Sequence, residues 1–446
     1  MRDLTQGSIP RHLVAMALPV GAGMLLQTLY YLVDLYFVAR LGEAPLAGVS
    51  AAGNVFFVVL ALTQMLGVGT VTLVSHAAGR KDRQAANHVF NQAVVLAAAC
   101  ALLTLGGGYA LAGAYMDALG ADEATRTAGR EFLYAAMPGL AMQFAMVAMG
   151  SALRGTGIVK PTMVVQAATV LLNAALAPVL IAGWGTGVPL GAAGAGLAST
   201  LSVAAGTVLL WAYFAKLEKY VGFDASQWRP RLATWRRLLD LGLPAGGEFL
   251  VLAVFAAIVY AIIRDFGAAA QAGFGAGSRL MQAIFLPALA IAFAAAPIAG
   301  QNMGAGKPGR VRETFRAAAL ANGAIMATLT LLCQWRGEIL LHAFTKDAAV
   351  IAVGVDYLRV ISWNFVGIGL VLTCSSLFQA LGNTWPSLFS SAVRLATFAV
   401  PAIWLSQQPG FRLVSVWHLS VATVVLQAVV SLALLSWQFR ARLDRA

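Results

Sequence analysis

The chain has 446 residues and is 60% hydrophobic, but only 11% of its residues are charged, whereas a soluble domain carries about a quarter charged residues. The charged residues are absent from long stretches and gathered in short ones, which excludes a series of soluble domains and indicates an integral membrane protein. The net charge of +12 does not indicate a nucleic-acid partner, because basic residues in the connections between apolar segments set membrane topology instead.

The predicted fold class is an all-α integral membrane protein with twelve transmembrane helices. A transmembrane helix needs about 20 apolar residues, and twelve such segments follow one another, separated by Gly, Pro and charged residues. The predicted spans, in chain order, are 13–39, 46–75, 89–115, 130–153, 161–183, 191–215, 238–263, 270–299, 314–335, 354–379, 386–406 and 415–439.

Lysine and arginine residues concentrate in alternate connections between the spans, most densely in residues 80–83, 216–237 and 307–316. Cytoplasmic loops of membrane proteins carry an excess of these residues. The sequence therefore predicts a multi-pass protein of the bacterial inner (plasma) membrane with both termini in the cytoplasm.

The chain contains an internal repeat. Shifted by 225 residues, it aligns with itself without gaps over most of its first half. Each repeat holds six spans, an even number, so the sequence predicts two parallel six-helix repeats related by an axis along the membrane normal, with a substrate cavity between them. The predicted domains are an N-lobe (1–215), a cytoplasmic linker (216–237) and a C-lobe (238–446). Aligned pairs include Pro19 with Pro244, Gly48 with Gly273, Gly79 with Gly304, and Pro161 with Pro386.

Two acids lie well inside the predicted spans, where charged side chains are costly and usually functional. Asp34 lies in the first span, and the amino-terminal spans contain no cation with which it could pair. Glu248 lies in the seventh span, and Arg394 of the eleventh span enters from the same side at a similar depth. Asp34 is therefore predicted to be functional. For Glu248, an ion pair that fixes helix packing and a substrate-binding role are both open.

Asp34 shares one helix face with Gln27 and Tyr30, because the three residues follow helical spacing. A carboxyl group in a low dielectric can hold a proton near neutral pH and release it when water or a cation arrives, which proton-coupled exchange requires. Flexible methionine side chains suit a promiscuous apolar cavity, although ordinary packing would explain each of them equally well. The predicted substrate-binding residues are Gln27, Asp34, Met142, Met146, Met149 and Glu248.

Motifs of enzymes are not found. His76 and His88 bracket the basic residues 80–83 without metal-binding companions, and the sequence has neither HExxH nor a phosphate-binding loop. We therefore predict no enzymatic activity, no metal and no cofactor beyond a coupling ion.

Several motifs together resemble the multidrug and toxic compound extrusion (MATE) family, and the resemblance covers nearly the whole chain. It implies a V-shaped pair of six-helix lobes that exports cationic or amphiphilic compounds against protons or sodium. The motifs are Met16-Ala17-Leu18-Pro19, Val33-Asp34, Ala39-Arg40-Leu41-Gly42, Leu46-Ala47-Gly48, Leu153-Arg154-Gly155-Thr156-Gly157, Lys160-Pro161, Gly242-Leu243-Pro244, Gly300-Gln301-Asn302-Met303-Gly304-Ala305-Gly306 and Phe378-Gln379-Ala380-Leu381-Gly382.

The resemblance implies that Asp34 is the coupling acid and that Tyr30, Asn173 and Ser199 surround it. Where some relatives carry a second carboxylate one turn after Asn173, this chain has Ala177. A sodium site normally needs several hard oxygen ligands with carboxylate charge, so this loss favours protons over sodium as the coupling ion.

A second departure concerns the branch named after the norfloxacin exporters, which has carboxylates where this chain has Leu252 and Ile368. A single acid in the amino-terminal lobe is similar to the DinF-like branch. The expected partners are small amphiphilic or cationic substrates and membrane lipids, without nucleic acid, and the expected state is a monomer.

Two alternatives stay open at this point. A flippase of lipid-linked oligosaccharides, from the same wider superfamily, would line its cavity with cationic residues, for which Arg279 and Arg394 are the candidates. A non-transporting scaffold or receptor would carry long extramembrane segments, and the sequence contains none.

Overall fold

The computed structural model describes residues 1–120, 122–342 and 348–443. These ranges contain thirteen α-helices and no strand, in agreement with the predicted all-α fold. The helices are α1 (Ile9–Ala39), α2 (Glu43–Gly79), α3 (Arg83–Leu119), α4 (Glu123–Gly155), α5 (Lys160–Ala182), α6 (Gly191–Lys216), α7 (Leu232–Ile263), α8 (Ala268–Gly304), α9 (Pro308–His342), α10 (Ala348–Ile361), α11 (Asn364–Ala380), α12 (Trp385–Ser406) and α13 (Leu413–Arg442).

The twelve predicted spans are confirmed by helices of sufficient length and apolarity. Eleven helices are each long and apolar enough to cross a membrane, and the bent pair of α10 and α11 gives twelve when it is counted as one span. Two of the helices, α3 and α4, begin directly after an aspartate whose side chain satisfies a free backbone N–H group. The side chain of Asp82 accepts from the N–H of Ala85 at 2.9 Å, and that of Asp122 accepts from the N–H of Thr125 at 2.7 Å. The latter bond favours the charged carboxylate and lowers the pKa of Asp122.

The tenth span differs from the prediction because it is not one continuous helix. The two segments Val350–Ile361 and Asn364–Ala380 are bent by 56° relative to each other. At the bend the N–H of Trp363 bonds to Val360, so the carbonyl of Arg359 loses its helical partner. The side chain of Gln334 on α9 replaces that partner, donating to the Arg359 carbonyl at 2.7 Å and to the Ser362 hydroxyl at 2.8 Å. A broken helix at membrane depth is tolerated where neighbouring side chains satisfy its backbone in this way.

We expect Gln334→Leu to destabilise the protein, because it leaves the Arg359 carbonyl with only the 3.4 Å hydrogen bond from the Ser362 hydroxyl. The loss of one such hydrogen bond typically costs about 0.5–1.5 kcal/mol. Thermal unfolding in detergent measures the effect, and Gln408→Leu, at an exposed position in the same part of the chain, is the matched control. Equal stability of the two variants would contradict the assigned role of Gln334.

The two repeats use the same close contact between helices. A Cβ atom on Gly48 would lie 2.5 Å from the carbonyl oxygen of Thr125, at the start of α4. A Cβ on Gly273 would lie 3.1 Å from the carbonyl oxygen of Val350, at the start of α10. Both pairs are related by the 225-residue shift, and in both, glycine permits the close approach of two backbones that is typical of membrane helices. The sequence repeat is therefore also a repeat of packing.

The contacts between residues divide the chain into two compact units. The first contains residues 1–3 and 22–242, and the second contains residues 4–21 and those from Leu243 onward. The divisions after Gly21 and after Gly242 fall inside helices α1 and α7, whereas the sequence placed the boundary in a linker at 216–237. In the first unit, α2, α4 and α6 are the most buried helices. Its core is built around Leu133, Met137 and Phe144 of α4.

The predicted linker is shorter than expected and is held by the first unit. Its last residues are helical, because α7 begins at Leu232. Amide side chains of α3 bind the backbone of the remainder. Asn91 donates to the carbonyl of Gly222 at 2.9 Å, and Gln92 donates to the carbonyl of Arg229 at 2.9 Å and accepts from the N–H of Arg231 at 2.8 Å. These bonds order a polar segment that composition alone would suggest is loose.

Candidate functional site

Helices α1, α5 and α6 bring together the four residues that the sequence assigned to cation coupling. The hydroxyl of Ser199 on α6 donates to Oδ2 of Asp34 on α1 at 3.0 Å. Asn173 on α5 interacts with both Asp34 and Tyr30, and Tyr30 also interacts with Ser199. Tyr30, Asn173 and Ser199 are all buried. We call these four residues the Asp34 cluster.

The Asp34 cluster contains polar atoms that lack hydrogen-bond partners. Oδ1 of Asp34 and both amide atoms of Asn173 are buried and unpaired. Buried polar atoms are nearly always paired, so an unpaired group is expected where a site must change its protonation or its ligand. The Asn173 amide suits such a change because its NH₂ can donate to an ionised carboxylate and its oxygen can accept from a protonated one.

Among the residues that the structure describes, no ion pair includes Asp34. The ion pairs of the first unit lie at helix ends, away from the Asp34 cluster, and join Arg126 to Glu123, Arg130 to Asp117, and Arg236 to Asp240. Among the described residues, an ion pair that only stabilises helix packing therefore does not explain Asp34.

A cavity of about 190 Å³ lies beside the Asp34 cluster in the first unit. Gln27, Tyr30, Met146 and Ser199, which were predicted from the sequence, form part of its wall. Asp34 and Asn173 are not among the wall residues, but Ser199, which donates to Asp34, is. The wall also includes Tyr31, Phe56, Leu60, Thr63, Gln64, Ala136, Gly139, Leu140, Gln143, Val147, Gln166, Thr169 and Val203.

Three glutamines on the cavity wall were missed by the sequence analysis. Gln64 lies on α2, Gln143 on α4 and Gln166 on α5, and each interrupts an apolar span. An amide inside an apolar run is a signal in the sequence that would have found all three. Because all three glutamines line the cavity, its wall is more polar than the apolar wall that the sequence predicted.

The predicted methionines are divided among different surroundings. Met146 lines the cavity, and Met142 is partly buried but does not line it. Met149 is 3% exposed and packs in a core cluster with Phe90 and Phe214, whose rings stack at 4.8 Å. Met149 does not line the cavity beside the Asp34 cluster but lines a separate cavity of about 720 Å³ with Trp211 and Trp228, so its contact with substrate stays a prediction.

Glu248 lies in the second unit, and of its two open roles the ion pair with Arg394 is not found among the described residues. Glu248 interacts with Ser387, near the start of α12. The Arg394 guanidinium lies 4.7 Å from the centre of the Phe255 ring and interacts with Tyr357. Seven residues separate Ser387 from Arg394, which corresponds to about 10 Å along a helix. The distance of a residue from the charged loops indicates its approximate depth in the membrane. It cannot show which residues of α7 and α12 lie side by side.

We expect the effects of Glu248→Gln and Arg394→Gln on stability to be additive, because the two side chains have different partners and residues without shared partners rarely couple. Thermal unfolding of the two single variants and the double variant measures this. The loss of stability in the double variant should equal the sum of the two single losses within about 0.5 kcal/mol. A double variant clearly more stable than that sum would indicate an ion pair after all.

Comparison with known proteins identifies one family. The family profile described as MatE matches residues 19–179 and again residues 244–405. The second match begins 225 residues after the first, which is the shift found within the sequence. The profile therefore covers most of the chain and recognises each repeat separately.

Curated relatives and solved structures agree with this match. The chain is 26% identical over 420 residues to the "Probable multidrug resistance protein YpnP" of Bacillus subtilis, covering 93% of this chain and 90% of the relative. It is 24% identical to the "Probable multidrug resistance protein NorM" of Thermotoga maritima, covering 98% and 95%. A solved structure titled "Crystal structure of MATE in the bent conformation" has the same fold, with a TM-score of 0.93, 21% identity and coverage of 99% and 98%.

Proposed function

Because the chain belongs to the MatE family of multi-pass membrane transporters, we propose that it is a secondary active multidrug efflux transporter that exchanges protons for cationic or amphiphilic organic compounds. The observation that supports proton exchange is the Asp34 cluster, in which a buried carboxyl oxygen and a buried amide lack partners. The names of similar proteins, "Probable multidrug resistance protein" among them, support export of such compounds.

The proposed proton step uses Asp34 and Asn173. When Asp34 is ionised, Ser199 donates to Oδ2, and the Asn173 NH₂ can donate to Oδ1 after a small rotation. When Oδ1 is protonated, the new O–H can donate to the Asn173 oxygen instead. Each protonation state thus has its own hydrogen-bond arrangement. This difference can be transmitted to Tyr30 and Ser199 on the cavity wall.

The proposed substrate step uses the cavity beside the Asp34 cluster. Its volume of about 190 Å³ is below the roughly 300–1,000 Å³ of pockets that enclose drug-sized ligands. A drug-sized substrate would therefore place only one end in the cavity. Tyr30, Tyr31 and Phe56 on the wall can face a cationic group through their rings, and ionised Asp34 adds negative charge behind them. This arrangement favours the cationic end of an amphiphile.

The composition of the Asp34 cluster supports protons over sodium. One carboxylate, one amide and two hydroxyl groups are present, and Ala177, where some relatives carry a second carboxylate, is fully buried. A sodium ion would have one charged ligand here, whereas a proton needs only the carboxyl group and a hydrogen-bond acceptor. Assignment to the DinF-like branch, a monomeric state, and an inner-membrane location with both termini in the cytoplasm stay predictions.

The decisive experiment is transport in proteoliposomes with separately imposed ion gradients. We expect a proton gradient to drive movement of a fluorescent organic cation in the absence of sodium. A sodium gradient at equal pH on both sides should drive none. Transport driven by sodium alone would contradict proton coupling. Failure of both gradients to move any amphiphilic cation would contradict the proposed exchange itself.

A flippase of lipid-linked oligosaccharides is the weaker alternative. It would need cationic residues that converge on a pyrophosphate. Arg279 is exposed, and Arg394 lies against the Phe255 ring. Transport of organic cations in the experiment above would favour the exchanger.

A further inference from the structure

A small polar pocket lies in the first unit where α2 ends and where α3 and α7 begin. Its volume is about 130 Å³, and its wall includes the polar residues His76, Arg80, His88, Thr234 and Arg237. We call it the α2–α3–α7 pocket. It shares no wall residue with the cavity beside the Asp34 cluster, and the proposed exchange does not use it. The basic connection 80–83 at this end predicts that it opens toward the cytoplasm.

The polar wall of the α2–α3–α7 pocket is rich in hydrogen-bond donors. Two guanidinium groups, two imidazole rings and one hydroxyl group contribute to it, and its lining contains no carboxylate. His88 Nε2 and the Thr234 hydroxyl are 3.1 Å apart, which joins the start of α7 to α3. The planar fork of arginine matches the oxygen atoms of a phosphate group. The wall therefore suits an anion with several oxygen atoms.

Acidic residues near the pocket already have other partners. Asp82 caps α3 by accepting from the N–H of Ala85 at 2.9 Å, and Asp240 lies 3.9 Å from Arg236. In the ranges that the structure describes, no ion pair includes Arg80 or Arg237. The positive charge of these two arginines is therefore available to a ligand.

The turn after α2, beside the pocket, contains a further cationic residue in a disfavoured backbone conformation. Lys81 has a φ of 59°, in the left-handed region, where a side chain is disfavoured. The position related to it by the 225-residue shift is Gly306, with a φ of 64°. The same turn thus occurs in both repeats. The second repeat has the residue that fits its backbone, whereas the first has a lysine next to the α2–α3–α7 pocket.

The size of the pocket limits the ligand. About 130 Å³ exceeds the roughly 30 Å³ of a water molecule but is well below the ~300 Å³ at which drug-sized pockets begin. We propose that the α2–α3–α7 pocket binds a phosphate group, carried either by an anionic phospholipid of the adjoining leaflet or by a free phosphate compound. Basic pockets between transmembrane helices on the cytoplasmic side bind phospholipid headgroups in this way.

The test compares two double variants of the full chain with equal changes in net charge. Arg80→Gln/Arg237→Gln removes both arginines from the wall, whereas Arg229→Gln/Arg231→Gln removes two exposed arginines that do not line the pocket. One arm measures thermal unfolding in detergent with inorganic phosphate, against chloride at equal ionic strength. The other arm measures retention of phosphatidic acid, against phosphatidylcholine, by native mass spectrometry.

We expect the pocket variant to bind phosphate or phosphatidic acid at least tenfold more weakly than the wild type, while the control variant binds normally. An effect in the phosphate arm identifies a site for free phosphate compounds. An effect confined to phosphatidic acid identifies a lipid headgroup site. Equal binding by both double variants in both arms would overturn the proposal, as would a wild type that binds neither ligand.

Discussion

Asp34→Asn should abolish gradient-driven transport while leaving the protein folded and inserted. Asparagine has nearly the same shape as a protonated carboxyl group and can still accept from Ser199, which lies 3.0 Å from Oδ2 of Asp34. It cannot gain or lose a proton, however. If protonation and substrate binding exclude each other, substrate must lower proton affinity by the same factor by which a proton lowers substrate affinity. The variant removes this coupling entirely.

The measurement is proton release when an organic cation is added to purified protein in weak buffer. Wild type should release protons, and Asp34→Asn should release none. Asp265→Asn is the control because its side chain is 77% exposed and lies beside Arg264, so it should behave as the wild type does. Proton release and transport that are unchanged in Asp34→Asn would refute the coupling role.

Gly48→Ala should destabilise the first unit, although alanine is a better helix former than glycine by about 1 kcal/mol. The added Cβ would lie 2.5 Å from the Thr125 carbonyl oxygen and 2.8 Å from the Gly129 nitrogen. Both atoms belong to the backbone of α4, so no side chain can rotate away and the two helices must separate. Overpacking of this kind typically costs about 1–3 kcal/mol.

Thermal unfolding in detergent measures the effect of Gly48→Ala, and the chain offers a matched control on the same helix. A Cβ on Gly53 would meet nothing within 4 Å, so Gly53→Ala should be neutral or stabilising. Gly273→Ala should destabilise as Gly48→Ala does, since its Cβ would lie 2.9 Å from the Cβ of Val353. A Gly48→Ala protein as stable as Gly53→Ala would show that the contact between α2 and α4 is looser than described.

The sequence alone predicted the number of spans, the repeat and Asp34 as the candidate coupling residue. These properties depend on composition and on spacing along one segment. A run of about 20 apolar residues predicts a span wherever it packs, and Tyr30 and Asp34 share a helix face because of their spacing. Asn173 and Ser199 were linked to Asp34 through the family resemblance, since residues in three different helices have no spacing that relates them.

Only the tertiary structure decided which residues of different helices meet. The register between α7 and α12 places Glu248 beside Ser387, and Arg394 about two turns further along. At the bend in the tenth span, Gln334 of α9 donates to the Arg359 carbonyl, and the sequence has neither proline nor glycine between Arg359 and Asn364 to indicate a bend. Cavity walls and helix register are set by side-chain packing between segments distant in sequence, and no pattern within one segment records that packing.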